Sequence, residues 1–259
     1  MTGEFERAVE LAPVLADTAA SVVRRYFRQP VDVLDKADAS PVTIADREAE
    51  AAMRRLINAA FPQHGIFGEE YGVERAEADF VWVLDPIDGT KSFISGVPLF
   101  GTLIALLERG QPVLGVIDQP ISGERWLGIA GRQSSFNGAP IRTRAGTALE
   151  AATVFATSPD MFAGEDAAGF ARIRAGAKLV RYGADCYAYG LCASGFIDAV
   201  IEAKLKPYDF CAMIPIIEGA GGIVTGWRGE RPGLGSDGRI VACGNAALHA
   251  QILARLDAA

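Results

Sequence analysis

A change of hydrophobic period near residue 62 limits the architecture of this chain more than any other feature. Before it, Phe5, Val9, Leu11, Leu15, Ala19, Val22, Val23 and Phe27 recur at helical spacing, which predicts one long helix ending near Gln29-Pro30. A second helix is expected after Thr43, with Asp46 in its first turn and Ala49, Met53, Leu56 and Ile57 leading to a stop at Phe61-Pro62. After it, apolar residues gather into short runs near 65–67, 80–84, 102–107, 112–117 and 125–129, separated by Gly, Pro and acidic turns. Asn137-Gly138 is a hairpin turn, because both residues tolerate positive φ. The middle of the chain therefore reads as a mainly antiparallel sheet.

From about residue 151 the pattern alternates. Strands near 153–156, 179–181, 197–201 and 240–242 are interleaved with helices near 163–175, 186–193, 210–219 and 246–256, which is an α/β pattern. No repeat, low-complexity run or long linker divides the chain. An N-terminal α+β half (1–150) and a C-terminal α/β half (151–259) are expected to share an extensive interface, with a site in the cleft between them.

With 259 residues, 50% of them hydrophobic, the chain can bury a sizeable core. A formal charge of −7 and the lack of a Lys/Arg-rich run leave nothing to neutralise a polyanion, so nucleic acid is not an expected partner. The first residues are acidic and amphipathic, unlike a secretory signal, and no run approaches the roughly 18 apolar residues of a membrane span. Cys186, Cys192, Cys211 and Cys243 form no CxxC pair, and His64 and His249 are the only histidines, which argues against a Cys/His zinc site. Buried, reduced thiols in a cytoplasmic protein are expected.

The most informative segment runs from Trp82 to Phe93, where an apolar strand leads straight into Asp85-Pro86-Ile87-Asp88-Gly89-Thr90. Pro86 has no N–H and a fixed φ, and Gly89 lets backbone approach a ligand closely, so Asp85 and Asp88 can converge on one point. Hard divalent cations take such oxygen ligands, and Mg²⁺ in particular combines a few carboxylates with water and substrate phosphate. A bare acidic strand-end turn is also a common solvated loop or helix cap. Two further acidic segments accompany it: Gly68-Glu69-Glu70 upstream, and Lys206-Pro207-Tyr208-Asp209 before an apolar helix ending at Gly219-Ala220-Gly221-Gly222. Each has a plainer reading, Glu69 and Glu70 as a solvated pair and Asp209 as a helix N-cap.

The order and spacing of these segments resemble the inositol monophosphatase superfamily, whose signatures are a GEE element, a DPxDGT element and a later Asp before an Ala/Gly-rich helix. Lys36 and the segment from Pro41 to Asp46 resemble the family's Lys-containing segment and its T-x-x-D element, so the likeness covers nearly the whole chain. The resemblance implies a five-layer αβαβα sandwich, a homodimer, and two or three Mg²⁺ ions held by Glu69, Asp85, Asp88, Asp209 and the Ile87 carbonyl. It makes Glu69, Thr90 and Asp46 the groups that orient and activate a water. Gly89 and Thr90 N–H groups suit a phosphate oxygen, with Asp88 and Asp209 also facing substrate.

The leaving-group pocket must choose the substrate. Lys91-Ser92-Phe93 after DGT, Tyr208-Asp209-Phe210, and the run from Gly183 to Tyr187 depart from the inositol-specific pattern and resemble the histidinol-phosphatase branch. Histidinol phosphate carries an ammonium and an imidazole, and acidic walls suit a cation; Asp185 and Glu202 match substrate-contacting positions. The expected reaction is hydrolysis of L-histidinol phosphate in histidine biosynthesis. The alternatives are an inositol 1-phosphate or broad-specificity sugar phosphatase, and a non-catalytic regulatory protein. Asp185 has a second reading as the N-cap of the helix near 186–193. Tyr187 and Tyr189 read as packing residues with a polar tip, Cys211 and Met213 as core, His64 as a turn residue, and Gly219 to Gly222 as a helix C-cap and turn.

Overall fold

The structure, a computed structural model, describes residues 3–30, 33–35 and 41–257; Lys36 lies outside the described residues. In chain order the first half contains α1 (Gly3–Tyr26), β1 (Val33–Asp35), β2 (Pro41–Thr43), α2 (Ile44–Ala60), β3 (Gly65–Gly68), β4 (Gly72–Glu74), β5 (Phe80–Asp88), α3 (Thr90–Ile94), β6 (Gly101–Glu108), β7 (Gln111–Gln119), β8 (Glu124–Ile129), β9 (Ser135–Phe136) and β10 (Ala139–Pro140). The second half contains β11 (Thr153–Ala156), α4 (Glu165–Gly176), β12 (Leu179–Tyr182), α5 (Asp185–Ala193), β13 (Ala199–Glu202), α6 (Pro207–Phe210), α7 (Met213–Gly219), β14 (Ile223–Thr225), β15 (Ile240–Cys243) and α8 (Ala246–Asp257). Among the described residues, β3 to β10 make an eight-stranded sheet and β11 to β15 a five-stranded one. The larger sheet is antiparallel except where β3 runs parallel to β5.

Side-chain alternation divides the interior into layers. Along β6, Ile104 and Leu106 join α1 and α2 in one apolar cluster, while Leu103, Ala105 and Leu107 join α5, α6 and α7 in another. Along β15, Ile240 and Ala242 face that second cluster, while Val241 and Cys243 face a third with α4 and α8. The stack is therefore helices, sheet, helices, sheet, helices: the expected αβαβα sandwich. Both sheets are covered on both faces, which is why their strands read as nearly continuous apolar runs. α7 lies close against β7 and β8, since a side chain at Gly115 would strike the Ala212 carbonyl and one at Gly128 the Ile216 backbone.

Most elements fall where periodicity places them, and the turn at Asn137-Gly138 has φ of 48° and 80° between β9 and β10. The helix expected over 210–219 is instead two pieces, α6 and α7. Pro215 cannot donate to the carbonyl four residues back, at Cys211, and the helical bonding lapses at that step. Gly221 and Gly222 N–H groups close on Glu218 and Ile217 carbonyls, so the glycine-rich run ends α7 as a turn. All four cysteines are buried and free. His64 is buried, and its Nδ1 accepts the Trp82 indole N–H at 3.1 Å.

Candidate active site

β5 carries two acids into one spot by means of a bulge. Its pairing with β6 sets Asp85 opposite Leu103 and then Asp88 opposite Gly101. Residues three apart on a regular strand face opposite ways; the extra residue between Asp85 and Asp88 restores them to one side. Pro86 makes no ladder bond there, and its carbonyl accepts the Thr102 hydroxyl at 2.8 Å. Ile87 N–H turns to Asp85 Oδ1 at 3.0 Å. Asp209, in the single turn of α6, joins them: Asp85, Asp88 and Asp209 each offer an oxygen within 4.8 Å of the others'.

Glu69 enters from β3. Parallel pairing sets Gly68 beside Leu84, and Glu69 N–H donates to the Leu84 carbonyl at 3.1 Å, which places Glu69 next to Asp85. Glu69 lies close enough to Asp85 to raise its pKa, and Glu69's charge also acts on Asp46 and Asp209.

Burial and mutual repulsion govern the electrostatics. Burial raises Asp85 and Asp88 well above the usual carboxylate range, with the neighbouring acids adding to it. Burial also pushes Asp209 up to about 7 and Asp46 up to about 6. Elsewhere the fold treats a buried acid differently: Glu50 is held at 2.8 Å by Arg54. Among the described residues no Lys or Arg ion-pairs with Asp85, Asp88 or Asp209. Buried charges are paired or coordinate metals, and an oxygen-only cluster without a counter-ion fits a hard divalent cation.

The other expected residues surround this cluster. Gly89, with φ 85°, turns the chain from β5 into α3, and the Thr90 hydroxyl donates to the Ile87 carbonyl at 3.1 Å. Asp46 is the third residue of α2 and completes a capping box: its Oδ2 accepts Thr43 N–H at 2.8 Å and the Thr43 hydroxyl at 2.6 Å. Asp46 Oδ1 is buried with no partner among the described residues. Thr90 and Asp46 thus hold separate hydrogen bonds, to Ile87 and Thr43, and are not bonded to each other here.

Asp185 opens α5 on a strained backbone, with φ of 82° at Ala184 and 44° at Asp185, values costly for residues with a Cβ. Its carboxylate does not cap the helix. It accepts the Ser92 hydroxyl at 3.0 Å and lies so near Gly89 that a Cβ there would sit 2.9 Å from Asp185 Oδ2. Ser92 was visible in the sequence only as part of a variant run, with no signal for this bond. Glu202 lies at the end of β13, buried, with Oε1 accepting Thr157 N–H at 2.7 Å and Oε2 the Tyr189 hydroxyl at 2.8 Å. Burial raises its pKa, and Asp185's charge adds to the rise.

The pattern of the Inositol monophosphatase family matches residues 6–259. The chain belongs to this family. A protein of Arabidopsis thaliana called bifunctional phosphatase IMPL2, chloroplastic, is 49% identical to it over 263 residues, 98% of this chain and 76% of that protein. A histidinol-phosphatase of Chlorobaculum parvum is 38% identical over 244 residues, 93% of each chain. A solved structure described as an inositol monophosphatase from Zymomonas mobilis superposes with a TM-score of 0.91 over 100% of both chains, at 46% identity. Family membership and these relatives make the chain a phosphatase. No helix among its described residues is long and apolar enough to cross a membrane.

Proposed function

We propose that this phosphatase hydrolyses L-histidinol phosphate to L-histidinol and phosphate, using Mg²⁺ held by Glu69, Asp85, Asp88, Asp209 and the Ile87 carbonyl. The observation that carries the substrate choice is Asp185, a carboxylate held on strained backbone against Gly89 of the phosphate-facing turn. A leaving group bound there meets a negative charge, which favours an ammonium-bearing alcohol over a neutral polyol. The histidinol-phosphatase relative supports the same reading.

Two or three Mg²⁺ ions in the cluster would acidify a water and neutralise charge on the phosphate and the leaving oxygen. The chain's own groups do the rest. Glu69 and the unpartnered Asp46 Oδ1 accept hydrogen bonds from the attacking water and orient it, with Thr90 beside Ile87 completing the set. Gly89 and Thr90 N–H groups face a phosphate oxygen. The water oxygen bonds to phosphorus as the bond to the alcohol oxygen breaks; the water gives a proton to the Glu69–Asp46 pair, and the alcohol oxygen takes one from solvent. Asp185 receives the ammonium, and Glu202, whose pKa Asp185's charge raises, acts on the same end of the substrate through its charge. A homodimer and a cytoplasmic location belong to this reading, the former checked by light scattering.

Phosphate release from L-histidinol phosphate, inositol 1-phosphate and fructose 1,6-bisphosphate, with Mg²⁺ and with EDTA, tests it. An advantage of at least ~10-fold for histidinol phosphate, about 1.4 kcal/mol in transition-state binding, is expected, with activity lost in EDTA. Equal or better turnover of inositol 1-phosphate would favour a second reading, for which the Zymomonas mobilis likeness speaks.

A further inference from the structure

The inner face of α2 carries three charged residues at successive turns, Asp46, Glu50 and Arg54, and only the first belongs to the carboxylate site. Glu50 is fully buried, and Arg54 nearly so. Arg54 Nε donates to Glu50 Oε1 at 2.8 Å. The pair then takes hold of the turn between β3 and β4. Glu50 Oε2 accepts Glu70 N–H at 2.8 Å, and Glu50 Oε1 accepts Tyr71 N–H at 3.1 Å. Arg54 donates to the Gly72 carbonyl and, at 2.6 Å, to Glu74 Oε1. Gly68 is pressed against the pair: a side chain there would strike the Glu50 carboxylate and come within 2.7 Å of Arg54 Nη2. Glu69 is the first residue of this turn, and its own N–H donates to the Leu84 carbonyl at 3.1 Å.

We propose that Glu50 and Arg54 are positioning residues that lock the Gly68–Gly72 turn and so aim the Glu69 carboxylate at the metal cluster. This rests on the functional reading above, in which Glu69 is a ligand and water-orienting group. The bonds from Glu69 N–H to Leu84 and from Glu70 N–H to Glu50 hold the backbone from which the Glu69 side chain meets Asp85. The arrangement also ties the two water-orienting acids to one helix face: Asp46 stands on α2 itself, and Glu69 hangs from it through Glu50. A rotation or shift of α2 would move both together.

The isosteric Glu50→Gln keeps one acceptor but removes the charge that pairs with Arg54. Outer partners of metal ligands typically change metal affinity by about 10–100-fold, and a loss in that range is expected for Mg²⁺ bound to metal-free protein, measured by calorimetry. Amide hydrogen exchange at Glu70 and Tyr71 should quicken in the same variant. Ile57→Val, a core change on the same helix away from the turn, serves as the comparison for general loosening and should leave both readouts alone. Arg54→Lys, a milder change, should weaken Mg²⁺ in the same direction if Glu50→Gln folds poorly. Unchanged Mg²⁺ affinity in Glu50→Gln and Arg54→Lys, or equal weakening in Ile57→Val, overturns the positioning role. Wild-type protein that binds no Mg²⁺ would instead overturn the metal reading; quickened exchange at Glu70 and Tyr71 in Glu50→Gln alone would still support the lock on the turn.

Discussion

Stripping divalent metal should give the protein a stability that falls as pH rises through neutrality, the reverse of acid denaturation. In the folded chain, burial lifts Asp46 from 3.8 to about 6 and Asp209 from 3.8 to about 7, and lifts Asp85 and Asp88 as well. Above the ordinary carboxylate value the unfolded chain has released these protons while the folded cluster still holds them. The free energy of unfolding therefore declines with pH until the folded groups ionise too. Asp46, at 1% exposure, has its pKa raised by roughly two units, which corresponds to ~3 kcal/mol. Asp209 is half-buried, so solvent screens part of its contribution, and the cluster's protons are shared, so the terms do not simply add. Only the part of the Asp46 term above pH 5, ~1.4 kcal/mol, falls between about pH 5 and about pH 8; with a screened share from Asp209 a loss of ~2–3 kcal/mol follows, or roughly 4–12 °C in Tm for a chain of this size. His64 and His249, lowered by burial, act in the opposite sense below their ordinary 6.5. The assay is thermal unfolding followed by circular dichroism at several pH values, in EDTA and in saturating Mg²⁺. Mg²⁺ favours the ionised acids and should abolish the decline, so its stabilising effect grows with pH. A metal-free Tm that stays flat or climbs from pH 5 to pH 8, with Mg²⁺ adding the same increment throughout, would refute the claim that these acids lack a counter-ion.

Three further outcomes are expected. Gly89→Ala must hold φ 85° with a Cβ that meets Asp185 Oδ2 at 2.9 Å; the left-handed backbone alone costs ~1–2 kcal/mol, so kcat/KM should drop by at least ~10-fold in steady-state assays. Asp185→Asn should raise KM for histidinol phosphate by roughly 10-fold while sparing an aryl phosphate whose leaving group carries no charge, an outcome that equal KM changes for both esters would contradict. Gly128→Ala, far from the cluster, pushes a methyl into the Ile216 backbone and should lower Tm by roughly 3–10 °C through overpacking of about 1–3 kcal/mol, with Mg²⁺ affinity unchanged.

Periodicity made the layered architecture legible because both sheets are buried on both faces and their strands had to be apolar throughout. It was less informative about short pieces. β14 follows two glycines and has only three residues, and α3 has five, too few for a pattern to repeat. The break between α6 and α7 was readable from Pro215, but the apolar stripe across it suggested one helix. At the site, the residue types announced the cluster, and the bulge that makes Asp85 and Asp88 neighbours is a consequence of Pro86. What the sequence could not show were bonds made across the fold: Ser92 to Asp185, and Glu50 and Arg54 to the Glu69 turn. Their partners lie 93 and 20 residues away for the first two, beyond the reach of local spacing rules.

Helix starts are part of how the site is built. Asp209 is not the N-cap of its helix, which is Lys206, but the third residue of α6, where it accepts Lys206 N–H at 2.7 Å, and Asp46 holds the same position in the capping box of α2. Asp88 Oδ2 accepts Cys186 N–H at 2.6 Å, and Asp85 Oδ1 accepts Ile87 N–H. In each case the named bonds fall on one oxygen of a carboxylate that has two. A backbone donor fixes the side chain's rotamer, and the second oxygen is then aimed without further loss of conformational freedom. For Asp46 that second oxygen is the buried, unpartnered Oδ1. Structural capping and ligand binding are thus not rival uses of these residues. A helix cap is a way to hold a carboxylate still, and the three anchored acids Asp85, Asp88 and Asp209 around one point leave mutual repulsion that a cation can relieve and backbone rearrangement cannot.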